Sequence, residues 1–114
     1  MEFGPRALGN RSILVSANDK SVNNWLNKKL KRTEFMPFAP ITLQKYATKI
    51  YKDLKKKKLA ILYMTVTTKC TNLGKKLSPA AVHIDNTARP QIISEKSNLK
   101  IFKILHEYYK ISKI

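Results

Sequence analysis

Ala80-Ala81-Val82-His83-Ile84-Asp85-Asn86-Thr87-Ala88-Arg89-Pro90-Gln91-Ile92-Ile93-Ser94 carries the pattern from which the fold class is read. Ala80 to Ile84 and Gln91 to Ser94 are apolar runs, and they flank the polar segment Asp85 to Arg89. Apolar and β-branched runs bounded by Asp, Asn and Pro read as short strands joined by a turn. Upstream, Leu59 to Thr68 is rich in β-branched residues and reads as a buried strand. Asn72 to Pro79 reads as a loop between them. Downstream, Ser97 to Lys110 spaces its apolar residues as a helix does, with Ile101, Phe102, Leu105 and Tyr108 as its inner face. Strands followed by an amphipathic helix predict a small sheet covered by helices, in the mixed α/β (α+β) class.

The N-terminal half adds helices to that sheet. Ser21 to Lys31 predicts a helix capped by Ser21, with Val22, Trp25, Leu26 and Leu30 on one face. Pro37 and Pro40 bracket Phe38-Ala39 and force an extended path. A short second helix is expected over Leu43 to Ile50, with Leu43, Tyr46, Ala47 and Ile50 inward. Lys55 to Lys58 reads as a charged loop. Residues 1–21 hold few large apolar side chains and read as loop, with a short strand at Ser12 to Val15.

A chain of 114 residues fits one domain with a core of its own. Hydrophobic residues make up 43% of it. No apolar run nears the ~20 residues that a bilayer span requires. The opening, Met1-Glu2-Phe3-Gly4-Pro5-Arg6, is polar and turn-rich, unlike a signal peptide. A cytoplasmic protein without a membrane partner is therefore expected. Cys70 is the sole cysteine, so an internal disulfide is excluded and an inert thiol is the favoured reading.

The formal net charge of +16 raises nucleic acid as a partner class. All but Arg6, Arg11, Arg32 and Arg89 of the 23 cations are lysines, spread along the chain, which favours a solvated surface. A nucleic-acid module would instead show a continuous basic face with interleaved aromatics. In a chain that uses lysine so freely, arginine marks positions where a planar two-pronged donor is needed. Arg6 and Arg11 lie in Gly4-Pro5-Arg6-Ala7-Leu8-Gly9-Asn10-Arg11-Ser12, where glycines allow close backbone approach to an oxyanion. By composition alone, this segment reads equally as a phosphate site or as an ordinary Gly-Pro turn. Arg89 ends a second turn dense in hydrogen-bonding groups.

Glu2-Phe3-Gly4-Pro5-Arg6-Ala7-Leu8-Gly9-Asn10-Arg11-Ser12-Ile13 resembles the signature of the carbamoyltransferase family that includes the nodulation protein NodU and antibiotic O-carbamoyltransferases. Leu26-Asn27-Lys28-Lys29-Leu30-Lys31, Phe35-Met36-Pro37-Phe38-Ala39-Pro40 and Val82-His83-Ile84-Asp85-Asn86-Thr87-Ala88-Arg89-Pro90-Gln91 follow in the family's order. Met36 stands where many members have arginine, and Asn86 where the pattern has glycine. The resemblance covers residues 1–114 and implies one partial C-terminal domain with a YrdC-like twisted mixed sheet flanked by helices. It implies that the family's pattern continues beyond both ends of this chain, so the domain is incomplete and not active alone. It further implies use of carbamoyl phosphate and ATP as substrates to form a carbamoyl-adenylate, then transfer to an acceptor hydroxyl. The acceptor step and the metal site would belong to a Kae1-like N-terminal domain or to a separate chain. Carried over by motif, Arg6, Lys31 and Arg89 would be the catalytic cations around phosphate and carbamate oxygens. Asn10, Arg11, His83 and Asp85 would bind substrate or, for His83 and Asp85, pin the turn that presents Arg89. A metal site within this chain is not expected.

Overall fold

A computed structural model describes residues 13–32, 38–54, 60–61 and 64–112. Within them the chain is a mixed α/β structure. Its named elements are helices α1 (Ser21–Lys29), α2 (Gln44–Ile50), α3 (Asn72–Leu77) and α4 (Leu99–Ser112), and strands β1 (Ile41–Leu43), β2 (Thr68–Lys69), β3 (Thr87–Ala88) and β4 (Gln91–Ile93). A 3-10 turn, Pro79–Ala81, follows α3. β1 and β4 pair in parallel with Ile41 opposite Gln91 and Leu43 opposite Ile93. β2 and β3 pair antiparallel with Thr68 opposite Ala88.

Tyr51 joins the two ladders. Its backbone forms an antiparallel bridge with Cys70, and its hydroxyl lies 3.0 Å from Thr42 Oγ1 in β1. Lys52 N–H donates to Lys69 O at 2.9 Å, and the Thr68 hydroxyl donates to Lys52 O. Ala47, Tyr51, Cys70 and Ala88 form the buried cluster around this joint, with Ile50, Leu54, Val82 and Ile92 packed on it. Water exclusion pushes the Tyr51 phenol up to about 12. It also raises the Cys70 thiol, opposed by nearby Lys75 and reinforced by Asp85, which disfavours a thiolate.

The helices begin and end for local reasons. The Asp19 carboxylate, not Ser21, opens α1 by accepting the Ser21 N–H at 2.8 Å. Lys28 and Lys29 lie in its last turn, where the helix dipole favours cations. Beyond Leu30, Lys31 N–H donates to Lys28 O at 3.2 Å and Arg32 N–H to Asn27 O at 2.9 Å. Those bonds make a Schellman cap, whose left-handed position falls on Lys31 at φ 51°. Asn98 caps the first turn of α4 through Ile101 N–H at 3.1 Å. Ile101 is buried, and α4 packs on β1.

Several expectations are corrected. Leu59 to Thr68 is not one strand: Ala60 and Ile61 are helical, and only Thr68 enters a ladder. Thr65 turns the chain back, donating from its amide and its hydroxyl to Ala60 O at 3.1 and 2.9 Å, with Met64 left-handed at φ 53°. Asn72 to Pro79 is not a loop, because Thr71 caps a helix there through Gly74 N–H at 3.1 Å. Ala80 to Ile84 is not a strand; Pro79 seeds the 3-10 turn instead. On α1, Trp25 and Leu30 turn outward at 55% and 44% exposure, and Leu26 alone of the expected stripe is buried. On α4, Tyr108 is exposed rather than inward. Ile13 to Val15 form no strand, whereas Ser12, Pro37, Leu59 and the Lys55 to Lys58 segment lie outside the described residues. No helix among the described residues is long and apolar enough to cross a membrane.

Candidate functional site

The segment His83 to Arg89 is held by its own polar side chains. Asn86 N–H donates to His83 O at 3.0 Å, and His83 N–H to Thr87 O at 2.7 Å. Asn86 takes the left-handed conformation at φ 63°, a backbone that asparagine tolerates better than most residues. This is a tight turn leading into β3, with its left-handed position at Asn86. Cys70 N–H donates to Asn86 O at 2.9 Å and ties the loop to β2.

Asp85 and His83 both close on Thr87. Asp85 Oδ1 accepts the Thr87 N–H at 3.0 Å and the Thr87 hydroxyl at 2.7 Å. The Thr87 hydroxyl donation, then its amide, holds the exposed Asp85 carboxyl below the usual carboxylate range. Thr87 Oγ1 lies 3.3 Å from His83 Nδ1. The single hydroxyl proton goes to Asp85, so Thr87 Oγ1 accepts from His83 Nδ1–H. In the neutral ring, Nε2 then keeps its lone pair as an acceptor. His83 and Asp85 thus make the bonds expected of side chains that pin this turn.

Arg89 follows β3 and sits between Ala88, at 1% exposure, and the buried Pro90. Its side chain is half-buried, and its buried Nε has no hydrogen-bond partner among the described residues. A buried donor left in this state costs about 1–3 kcal/mol, more where charge is involved. An anion seated against the guanidinium would remove that cost. Lys31 is placed differently, exposed at the end of α1. α1 packs on the Pro79–Ala81 turn, which runs through Val82 directly into the His83 loop, and Ala80 N–H donates to Ala17 O at 3.1 Å. The structure therefore brings His83, Asp85 and Thr87 into direct contact. It sets Arg89 at the end of that loop and Lys31 on the helix that braces the loop's approach. Arg6, Asn10 and Arg11 lie outside the described residues.

Sequence reasoning missed Thr87, the shared partner of both candidate side chains; its signal was the Asp-x-Thr spacing that permits an Asx-type turn. It also missed Asn23 and Asn27. Their buried Oδ1 atoms have no partner among the described residues, although Trp25 was expected on that face. Also among the described residues, no cluster of His, Cys, Asp and Glu is suited to hold a metal ion.

A mixed α/β domain in which a polar turn leads to a half-buried arginine is the class that fold and site define. The family model described as carbamoyltransferase C-terminus matches residues 1–114, and the chain belongs to that family. It is 39% identical to the uncharacterized protein MJ1058 of Methanocaldococcus jannaschii, over 98% of this chain and 18% of that relative. Nodulation protein U of Azorhizobium caulinodans is 38% identical over 99% of this chain and 20% of its own length. Nodulation protein NolO of Bradyrhizobium diazoefficiens is 32% identical over 96% and 20% respectively. The chain thus spans about a fifth of the length of these curated relatives.

Proposed function

We propose that the chain is the part of a carbamoyltransferase that binds carbamoyl phosphate and ATP and forms a carbamoyl-adenylate. The reaction balances as carbamoyl phosphate, ATP and water giving carbamoyl-adenylate, pyrophosphate and phosphate. Charge develops on transferring phosphate and carbamate oxygens, so fixed cations are the chemistry required. The observation that carries the reading is Arg89, whose buried Nε has no partner among the described residues, in a chain of the carbamoyltransferase C-terminus family. Its planar fork suits a two-oxygen acceptor. Lys31 supplies a point charge from the α1 cap, Arg6 is assigned a further phosphate contact, and Asn10 and Arg11 are assigned to substrate binding. His83 and Asp85 hold the turn through Thr87 and so fix where Arg89 begins. Transfer of the carbamoyl group to an acceptor hydroxyl is assigned to the rest of a full-length relative, since this chain spans about a fifth of such proteins.

Thermal melts of the 114-residue chain with carbamoyl phosphate or ATP test this. A saturable rise in melting temperature is expected, and Arg89→Lys should reduce it, because lysine keeps the charge but not the fork. Losing one such contact costs on the order of 3 kcal/mol where transition-state charge is concerned. Absence of protection by either ligand, or full protection in Arg89→Lys, refutes the reading.

A further inference from the structure

Trp25 is the sole tryptophan of the chain and lies 55% exposed on α1. Lys29 Nζ sits 4.9 Å from its ring centroid, a cation–π contact that steadies the indole on the surface. At helical spacing, Ser21, Trp25, Lys28 and Lys29 share the outer face, opposite Asn23, Leu26 and Asn27. From residue 13 to residue 32 the cations are Lys20, Lys28, Lys29, Lys31 and Arg32, and Asp19 is the only carboxylate. Asp19 is engaged in opening the helix. Arg32 continues the pattern, stacked 4.5 Å over the Phe38 ring. Two cation–aromatic contacts, Lys29 on Trp25 within α1 and Arg32 on Phe38 beyond its cap, thus accompany these cations.

We propose that the outer face of α1 binds single-stranded nucleic acid, with a base stacked on Trp25 and flanking phosphates met by Lys28 and Lys29. A single strand is the partner because its unpaired bases are free to stack, which duplex bases are not. The net charge of +16 draws any polyanion towards the chain, while the indole selects one that carries rings. An acidic protein would use the lysines and leave Trp25 idle. This interface does not depend on the carbamoyl reading, because neither Trp25 nor Lys28 nor Lys29 belongs to that site.

The test uses the whole chain and an oligothymidylate about ten nucleotides long. Fluorescence reads Trp25 alone, and binding should quench it saturably at about 0.15 M salt. Meeting two phosphates predicts a slope of about −1.4 in log affinity against log salt. By anisotropy of a labelled oligonucleotide, Trp25→Ala should weaken binding roughly 5- to 150-fold, and Trp25→Phe only a few-fold. Lys28→Glu with Lys29→Glu should abolish the quench while far-UV circular dichroism shows the fold retained. Polyglutamate should bind without quenching. Unchanged fluorescence on oligothymidylate addition, binding by Trp25→Ala within twofold of the parent, or equal quenching by polyglutamate each overturns the proposal.

Discussion

Tyr51→Phe separates the joint between the two ladders from the rest of the core. The hydroxyl at 3.0 Å from Thr42 Oγ1 is the only atom removed, and Tyr51 is 2% exposed, so solvent does not replace it. At neutral pH the variant loses one hydrogen bond and leaves Thr42 Oγ1 buried, at a cost of about 1–2 kcal/mol. Alkaline pH reverses the comparison. Burial pushes the folded phenol up to about 12, against ~10 for a free tyrosine. A folded-state value raised above the unfolded one means that stability is fully present below pH ~10 and is lost as pH rises through ~12. The span is about 2 units, or about 3 kcal/mol when complete. Phenylalanine has nothing to ionise, so the variant escapes this loss. Lysine titration acts on both proteins and cancels in the difference. The parent should therefore be more stable at pH ~8, equal to Tyr51→Phe near pH ~11, and less stable above it. Urea denaturation across that range, followed by far-UV circular dichroism, gives the difference directly. A stability difference that stays constant from pH ~8 to ~12 would refute the assignment of Tyr51 as the buried, Thr42-bonded joint.

Gly74→Ala should destabilise by about 1–2 kcal/mol despite alanine's better helix propensity, because overpacking outweighs that gain. A Cβ there would meet Ile50 O at 2.5 Å, a carbonyl already held by Thr71 N–H at 2.8 Å; a higher melting temperature would contradict this packing. Lys31→Gly should stabilise the α1 cap by roughly 0.5–1 kcal/mol by relieving its left-handed backbone, while weakening protection by carbamoyl phosphate or ATP. A Lys31→Gly melt that rises with ligand protection intact would remove Lys31 from the site. Asp85 should titrate below ~3.9 when followed by the Thr87 amide in NMR. Its depressed folded value means that its contribution to holding the turn is present above ~3.9 and fades as acid protonates it. A midpoint at or above that value would show the Thr87 bonds absent in solution.

Much of the candidate site is written locally. The Asp85-Asn86-Thr87 order supplies a short carboxylate, a residue tolerant of positive φ and a hydroxyl at turn spacing, so the turn is encoded within a few residues. Arg89 stood out because a lysine-rich chain had spent an arginine there. That its Nε is buried without a partner among the described residues is a different matter, since it depends on which elements bury it.

By itself, the sequence determined the family, the mixed α/β class, helices α1, α2 and α4, strand β4 and the turn from His83 to Thr87, all of which rest on motif order or on patterns within one segment. Tertiary structure decided the parallel pairing of β1 with β4, which brings together segments remote in sequence and leaves no mark in either short strand. It formed α3, whose Thr71 cap depends on Gly74 lying against the Ile50 carbonyl. It also turned Trp25 outward. α1 packs on a turn of proline and alanines, and within it Leu26 is buried while the indole is left to solvent. Periodicity states which residues share a helix face, but the volume available on the neighbouring element decides which face is buried.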